Sequence, residues 1–250
     1  MHMALQKYKR DSELTYALGA TLVEELLETH PRAITRAFLR PTEKQGGELK
    51  KIIERLKTLG VEIIESTKAF NILGAKDNCL LAAEFKKECL YESQSDELRM
   101  LGQKNIILVN PSDSGNLGTI MRSAAAFGFK EISIITPAVD PYDPKVIRAS
   151  MGAIFHLLVS VADEPFIHPG ENNLFFAFIL DENAKSLDSI DPLSCKHKEL
   201  TLIFGNEAAG LPKDFCAKYG ATPVYIEQSK NVDSLNLGVA ASIAMHHFKN

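Results

Sequence analysis

The chain has 250 residues, enough for one large domain or two modest ones, each with a core of its own. Its 45% apolar and 24% charged content is ordinary for a globular protein, no apolar run reaches bilayer length, and residues 1–10 lack the apolar centre of a signal peptide; a cytoplasmic protein with no membrane partner is expected. A net charge of −4 excludes a uniformly basic surface but leaves room for a local basic patch, and four scattered cysteines (Cys79, Cys89, Cys195, Cys216) predict reduced thiols, no metal and no thiol nucleophile.

In chain order, the first predicted element is a helix over 13–28, where Leu14, Leu18, Leu22, Val23, Leu26 and Leu27 recur at helical spacing until His30-Pro31 ends it. ITRAFL (34–39) reads as a strand. A second helix over 48–59 gathers Ile52, Ile53, Leu56 and Leu59 on one face, with Gly60 as its stop. VEIIEST (61–67) reads as a strand, followed by a short helix to Gly74 and a strand in CLLAAEF (79–85). These alternate as a compact α/β unit of about 90 residues. It carries Lys7, Lys9, Arg10, Arg32, Arg36, Arg40, Lys50, Lys51, Arg55 and Lys57, which read either as solvated helix faces or as a basic patch. The polar stretch KKECLYESQSDELRML (86–101) is the linker candidate, with the boundary near Glu97, giving domains 1–97 and 98–250.

The second half is built differently. NIILV (105–109), EISIIT (131–136), IFHLLVSV (154–161), LFFAFIL (174–180), TLIF (201–204) and PVYI (223–226) are nearly continuous apolar runs. Continuous apolarity marks strands covered on both faces, so a mainly parallel sheet between helices is expected. The helices are predicted over 117–127, within 186–198, over 212–219 and over 234–248. His156 falls inside one of the apolar runs and reads as a core histidine, Phe175-Phe176 as core, and His246-His247 as an exposed helix end.

In such sheets ligands bind where loops leave the carboxyl ends of strands. Three loops there are polar or glycine-bearing. The first, residues 110–118, offers Ser112, Asp113, Ser114 and Asn116 as helix caps. In the helix that follows, Leu117, Ile120, Met121, Ala124 and Gly128 share a face, and Arg122 points away from it, toward solvent, a cleft or another subunit. The second, IFGNEAAGLP (203–212), has Gly205 directly after a strand, where a backbone can be approached closely, and Gly210 at a tight turn. Glu207 between them reads either as a cap for the next helix or as a holder of a hydroxyl or amine. The third, 225–248, leads through Asp233 or Ser234 into a helix made thin by Gly238, Ala240, Ala241, Ser242 and Ala244, suited to close packing within the chain or at a subunit interface.

Taken in this order, the loops resemble the three motifs of the SpoU-type (TrmH-like) branch of the SPOUT RNA methyltransferases. Asn116, Gly118, Arg122, Ala124, Phe127 and Gly128 match the first motif, GNEAAGL (205–211) the second, and Ser234-Leu235-Asn236-Leu237 the third; KVIRASMGAIFHL (145–157) is similar to the stretch between the first two. The sequence departs from the pattern at Ser114, where proline is common, at Ala208, where glycine is usual, and at Glu227-Gln228, where the third motif usually has proline and methionine after Ile226.

The resemblance implies a small N-terminal α/β RNA-binding domain, then a parallel-sheet domain with a C-terminal trefoil knot, dimeric through that domain. It implies transfer of a methyl group from S-adenosylmethionine, as cosubstrate and without a metal, to a ribose 2′-hydroxyl of RNA, ribosomal RNA before transfer RNA. The cofactor contacts it implies are Phe204, Gly205, Asn206, Gly210, Ile226 and Leu235. The catalytic group it implies is Arg122 with Asn116, Glu207, Ser234 and Asn236 around it. The sulfonium is already a good leaving group, so such an enzyme aligns methyl and oxygen and assists loss of the hydroxyl proton. Arg122 could act as a base or as a cation at the developing alkoxide; a guanidinium is a poor base at neutral pH, which favours the second role. A catalytically relict RNA-binding or assembly protein is the competing reading. A nucleotide-binding oxidoreductase is a poor one, because GNLG (115–118) lacks the G-x-G-x-x-G spacing.

Overall fold

The structure, a computed structural model, describes residues 5–42, 46–92, 104–167, 170, 172–181 and 183–249. The chain divides into two compact units, one of residues 1–95 with 140–156 and one of 96–139 with 157–250. The expected boundary near Glu97 and the second half of the linker candidate lie outside the described residues. Residues 140–156, which the sequence alone groups with the second domain, belong to the first unit.

The first unit opens with a strand rather than a helix. Residues Leu14–Leu18 form β1, and α1 follows over Ala20–Thr29. Gly19 separates them with φ 122°, a conformation that side-chain-bearing residues rarely adopt. Leu14 and Leu18 fit a helical spacing and an extended run equally well; pairing with a distant strand decides between them. That strand is β4 (Leu81–Lys86), reached through β2 (Ile34–Leu39), α2 (Gly47–Thr58), β3 (Glu62–Glu65) and α3 (Thr67–Ile72). The sheet order is β1-β4-β2-β3, antiparallel except for the β2–β3 pair. Leu22, Val23, Leu26 and Leu27 of α1 and Leu49, Ile52, Ile53 and Leu56 of α2 are buried. Gly60 stops the second helix at φ 73°, and Leu59, expected on its apolar face, is 52% exposed just beyond it. A short α4 (Cys89–Glu92) ends this stretch.

Arg36 is not part of a surface patch. It lies opposite Glu84 in the β2–β4 register, and its Nε and Nη2 each sit 2.8 Å from a carboxylate oxygen of that residue, both side chains buried. The Thr35 hydroxyl donates to the same carboxylate at 2.8 Å. A bidentate, hydrogen-bonded pair is the form in which burial of two charges is tolerable. Burial and the neighbouring Glu84 push the Tyr16 hydroxyl up to about 12.

In the second unit β5 (Lys104–Val109), α5 (Ser114–Phe127) and β6 (Glu131–Ile135) come first. The chain then returns to the first unit through α6 (Pro144–Ala149) before β7 (Leu158–Ala162), β8 (Asn173–Phe178), β9 (Lys185–Ser186), β10 (Glu199–Phe204), α7 (Phe215–Tyr219), β11 (Thr222–Tyr225) and α8 (Leu237–His247). Seven strands run in the order β7-β6-β5-β10-β8-β11-β9, every paired neighbour parallel, as the continuous apolar runs require. Phe176 is buried and stacks on Phe248, and the half-buried Phe175 packs against a cluster that includes Ala177 and Ile203, as expected of core residues.

Two expectations fail locally. Residues 187–195 hold two 3-10 turns, Leu187–Ser189 and Pro192–Cys195, in place of a helix. Asp191 accepts from the Leu193 backbone at 3.0 Å and Pro192 follows it, a pairing that favours a short capped turn. In 154–161 the strand starts only at Leu158, because Met151 (φ 51°) and Gly152 (φ 87°) turn the chain into a 3-10 segment over Ala153–His156. His156 is therefore no core residue: it is about half exposed and its Nε2 lies 2.5 Å from Glu25.

Residues 140–156 complete the first unit. Tyr142, Val146, Ile147, Ile154 and Phe155 are buried. The Thr15 hydroxyl donates to the Tyr142 carbonyl at 2.6 Å, and the Tyr8 hydroxyl donates to Asp140 at 2.5 Å. Among the described residues no helix is long and apolar enough to cross a membrane.

Candidate functional site

The carboxyl ends of β8, β10 and β11 surround a cleft of about 480 Å³. Phe178, Ile179 and Leu180 line it from the end of β8; Phe204, Gly205 and Asn206 from the end of β10; Tyr225 and Ile226 from β11 and beyond. Glu207, Gly210, Gln228, Ser234 and Leu235 complete the rim. All six expected cofactor contacts, Phe204, Gly205, Asn206, Gly210, Ile226 and Leu235, thus face one space. The contribution of β8 went unread in the sequence, although its position at a parallel strand's carboxyl end was the available signal.

Glycine is required at 205. A Cβ there would stand 2.2 Å from the backbone carbon of Gly210 and 2.4 Å from the Leu211 nitrogen, so the loop could not fold back on its strand. The fold-back is held by a reciprocal backbone pair: the Asn206 N–H donates to the Gly210 carbonyl at 3.2 Å and the Gly210 N–H to the Asn206 carbonyl at 2.9 Å. Gly210 turns at φ 67°. Inside the loop the Asn206 side-chain oxygen accepts from the Ala208 and Ala209 amides at 2.9 and 3.0 Å, and its Nδ2 donates to the Asn110 carbonyl at 2.8 Å.

Glu207 joins this loop to the first. Its Oε2 accepts from the Ser112 backbone at 3.1 Å and the Ser112 hydroxyl at 2.7 Å; its Oε1 accepts from the Asp113 backbone at 3.2 Å and Asn116 Nδ2 at 3.1 Å. Of the two sequence readings, then, Glu207 holds a hydroxyl and caps no helix in its own loop; its backbone donors precede α5. Burial alone would raise the carboxyl, but the hydrogen bonds from Asn116 and Ser112 outweigh that and hold it below the ordinary carboxylate value.

The first loop reaches the third in the same way. Of the four candidate caps of α5, Asp113 serves, accepting from the Asn116 N–H at 2.7 Å. Asn116 Oδ1 accepts from Asn236 Nδ2 at 2.9 Å, while Asn236 Oδ1 accepts from the Val239 N–H at 3.2 Å. Asn236 is therefore the cap of α8, a place the sequence assigned to Asp233 or Ser234. A polar relay, Asn236 to Asn116 to Glu207, ties all three motif loops together. Beyond the relay, α8 packs closely on α5: the Ser123 and Ser242 hydroxyls lie 2.7 Å apart, and a Cβ on Gly238 would meet Thr119 at 3.3 Å.

Arg122 is exposed on α5 and is not among the residues that line the cleft. Leu117, Ile120, Met121 and Ala124 are buried on the opposite side of the same helix, as its spacing foretold, but Gly128, expected on that face, is exposed and ends the helix at φ 78°. The unusual pair after Ile226 also has partners. Glu227 accepts from the Ser186 hydroxyl at 3.0 Å, and Gln228 Nε2 donates to the Asp233 carbonyl at 3.3 Å, bridging the loop that leads to Ser234.

A parallel α/β sheet with a cleft at its carboxyl ends, two polar loops lining it and a third bonded to both, places the second unit among α/β domains with a small-molecule site at the strand ends. The model of the SpoU rRNA methylase family matches residues 103–246, and the chain belongs to that family. It is 34% identical over 149 residues (56% of this chain, 26% of the relative) to ribosomal RNA small subunit methyltransferase G 2 of Syntrophobacter fumaroxidans. It is 28% identical over 160 residues, 61% of each chain, to 23S rRNA (guanosine(2553)-2'-O)-methyltransferase RlmP of Bacillus subtilis. The chain thus spans less than two thirds of the length of either relative. Among solved structures, an rRNA methyltransferase from Sinorhizobium meliloti superposes with a TM-score of 0.77 at 26% identity, covering 96% of this chain and 88% of that one. The SpoU methyltransferase AviRb from Streptomyces viridochromogenes, solved in complex with AdoMet, shares the fold with a TM-score of 0.75 at 18% identity over 95% of this chain and 90% of that one.

Proposed function

We propose that the chain methylates the 2′-hydroxyl of a ribose in structured RNA, ribosomal before transfer RNA, with S-adenosylmethionine as methyl donor. The observation that carries this reading is the relay of Asn236, Asn116 and Glu207, which ties the first loop to the two loops of family type that line the cleft. The cleft fits the donor: its volume of about 480 Å³ falls in the small-molecule range, and Ile226 and Leu235 offer apolar faces for a flat ring. Bound there, S-adenosylmethionine supplies the methyl group. Phe204, Gly205, Asn206 and Gly210 hold it from the strand ends, and Ser234 lies where a polar tail can be met. Arg122 stabilises the alkoxide that develops on the ribose oxygen and orients the adjacent phosphate, with Asn116, Glu207, Ser234 and Asn236 fixing the frame.

Because Arg122 is exposed on its own chain, the reaction centre is completed by a second copy. The homodimer forms through the C-terminal unit, whose α5 and α8 carry an apolar groove lined by Thr119, Phe127, Val239 and Ile243. The first unit, residues 1–95 with 140–156, selects the RNA. A C-terminal segment that threads a loop of the same unit, the trefoil knot, belongs to the same reading of the C-terminal unit.

The test is calorimetry with S-adenosylhomocysteine, followed by a search for new 2′-O-methyl marks in RNA by mass spectrometry. Saturable binding with one site per chain is expected, and Arg122→Ala is expected to keep that binding while methyl transfer falls by about 100-fold or more. Transfer unaffected by the substitution would remove Arg122 from the chemistry; RNA binding and assembly without any transfer would favour the relict reading.

A further inference from the structure

A loop that folds back over a ligand cleft needs a fixed seat, and the seat of loop 205–210 is a single carboxylate. Four donors lie within 3.2 Å of the two oxygens of Glu207, two on each. A carboxylate has about four lone-pair sites, so this set fills it. These four donors come from residues 112–116; a fifth and longer contact, from Asn206 Nδ2 to Oε2 at 3.4 Å, comes from the neighbouring residue of the loop itself. Glu207 therefore has no capacity left for a hydroxyl or amine of a bound molecule while the loop is in place; it pins the loop to the N-terminal approach of α5.

Half of that pin comes from one residue outside the three motifs. Ser112 gives its backbone N–H and its hydroxyl to the same oxygen, and the hydroxyl contact, at 2.7 Å, is the shortest of the four. Short, charge-assisted bonds of this kind are the strong ones. The neighbouring Asn206 adds a second tie two residues upstream, through its Nδ2 to the Asn110 carbonyl at 2.8 Å. Residues 206–207 thus grip residues 110–116 at successive points, and the backbone that lines the cleft hangs between those grips.

We propose that Ser112 is a positioning residue of the cleft, acting through Glu207 to hold the backbone of loop 205–210 in the shape that receives the ligand. The identity of that ligand as S-adenosylmethionine rests on the proposed function; the pin itself does not.

The test uses the full chain with Ser112→Ala, Ser112→Thr and Glu207→Ala, alone and combined. Two readouts are taken: hydrogen exchange at the Ala208 and Ala209 amides, and the affinity for S-adenosylhomocysteine. Ser112→Ala is expected to speed exchange and weaken binding, each by about tenfold, the effect of losing one bond to a charged group. Ser112→Thr, which keeps the hydroxyl, restores both. On the Glu207→Ala background Ser112→Ala adds nothing, since a residue that acts only through another loses its effect when the other is gone. If Glu207→Ala does not fold, Glu207→Gln takes its place, and the added effect of Ser112→Ala shrinks instead of vanishing. Unchanged exchange and affinity in Ser112→Ala, or an undiminished effect on the Glu207 background, overturns the proposal. Should the unsubstituted protein fail to bind S-adenosylhomocysteine, the methyl-donor reading falls, and the exchange rates alone decide for or against the pin.

Discussion

At the scale of single residues, two positions in the second loop do opposite kinds of work. Gly205 contributes by what it lacks. Its missing Cβ leaves the space that the Gly210 backbone occupies, so Gly205→Ala forces backbone, not a flexible side chain, to move. A loss of about 1–3 kcal/mol in stability is expected, read as a lower melting temperature, together with loss of S-adenosylhomocysteine binding. Glu207 contributes by its charge. Its folded-state pKa lies below the ordinary value, so its stabilising effect is fully present above the unfolded value and is lost as pH falls through the folded one. Urea denaturation of the wild type and Glu207→Gln should therefore differ at pH 7, and the gap should narrow as the pH falls below the ordinary carboxylate range. A gap that stayed constant would mean the carboxylate's charge is not what the bonds stabilise. Both residues stood out in the sequence as a glycine after a strand and a carboxylate between glycines. The partners of Glu207 did not, because Ser112 lies 95 positions away and only the fold brings it near.

Elements show the same division. The thin helix α8 was legible from its run of small residues, but two destinations fitted that pattern, and the structure fills the one within the chain, against α5. Gly238, Ala241 and Ala244 are buried on the inner side, while Val239 and Ile243 are 47% and 40% exposed on the outer. An exposed apolar pair beside a groove is a surface suited to another chain. Ile243→Glu is expected to shift sedimentation from dimer to monomer, with a circular dichroism spectrum unchanged because the inner face is untouched. A dimer that survives the substitution would place the interface elsewhere. The strand β1 shows the limit of periodicity: Leu14 and Leu18 satisfy helix and strand spacing alike, and the pairing of Leu14 with Lys86 and Leu18 with Ala82 settles the matter from across the chain.

For the whole molecule, the unit that looks N-terminal in sequence is not contiguous. Its core includes Tyr142, Val146, Ile147, Ile154 and Phe155, all supplied by residues 140–156. A fragment of residues 1–95 would expose the apolar surface that these side chains cover and lose the Thr15–Tyr142 bond. Such a fragment is expected to give a poorly dispersed amide spectrum, against a well-dispersed one for the full chain; a well-folded fragment would show that the later segment only decorates the unit.

The sequence by itself determined the parallel sheet, the three motif loops, the outward direction of Arg122 and the glycine stop of α2. Each of these rests on local chemistry: continuous apolarity, turn residues at strand ends, helical spacing, a positive φ open to glycine. Tertiary structure alone decided that residues 14–18 extend, that 187–195 break into turns, that 140–156 join the first unit, and that Ser112 and Asn116 hold Glu207. Those outcomes depend on pairing between segments far apart in the chain, where the free energy of a contact exists only once both partners have been folded into place.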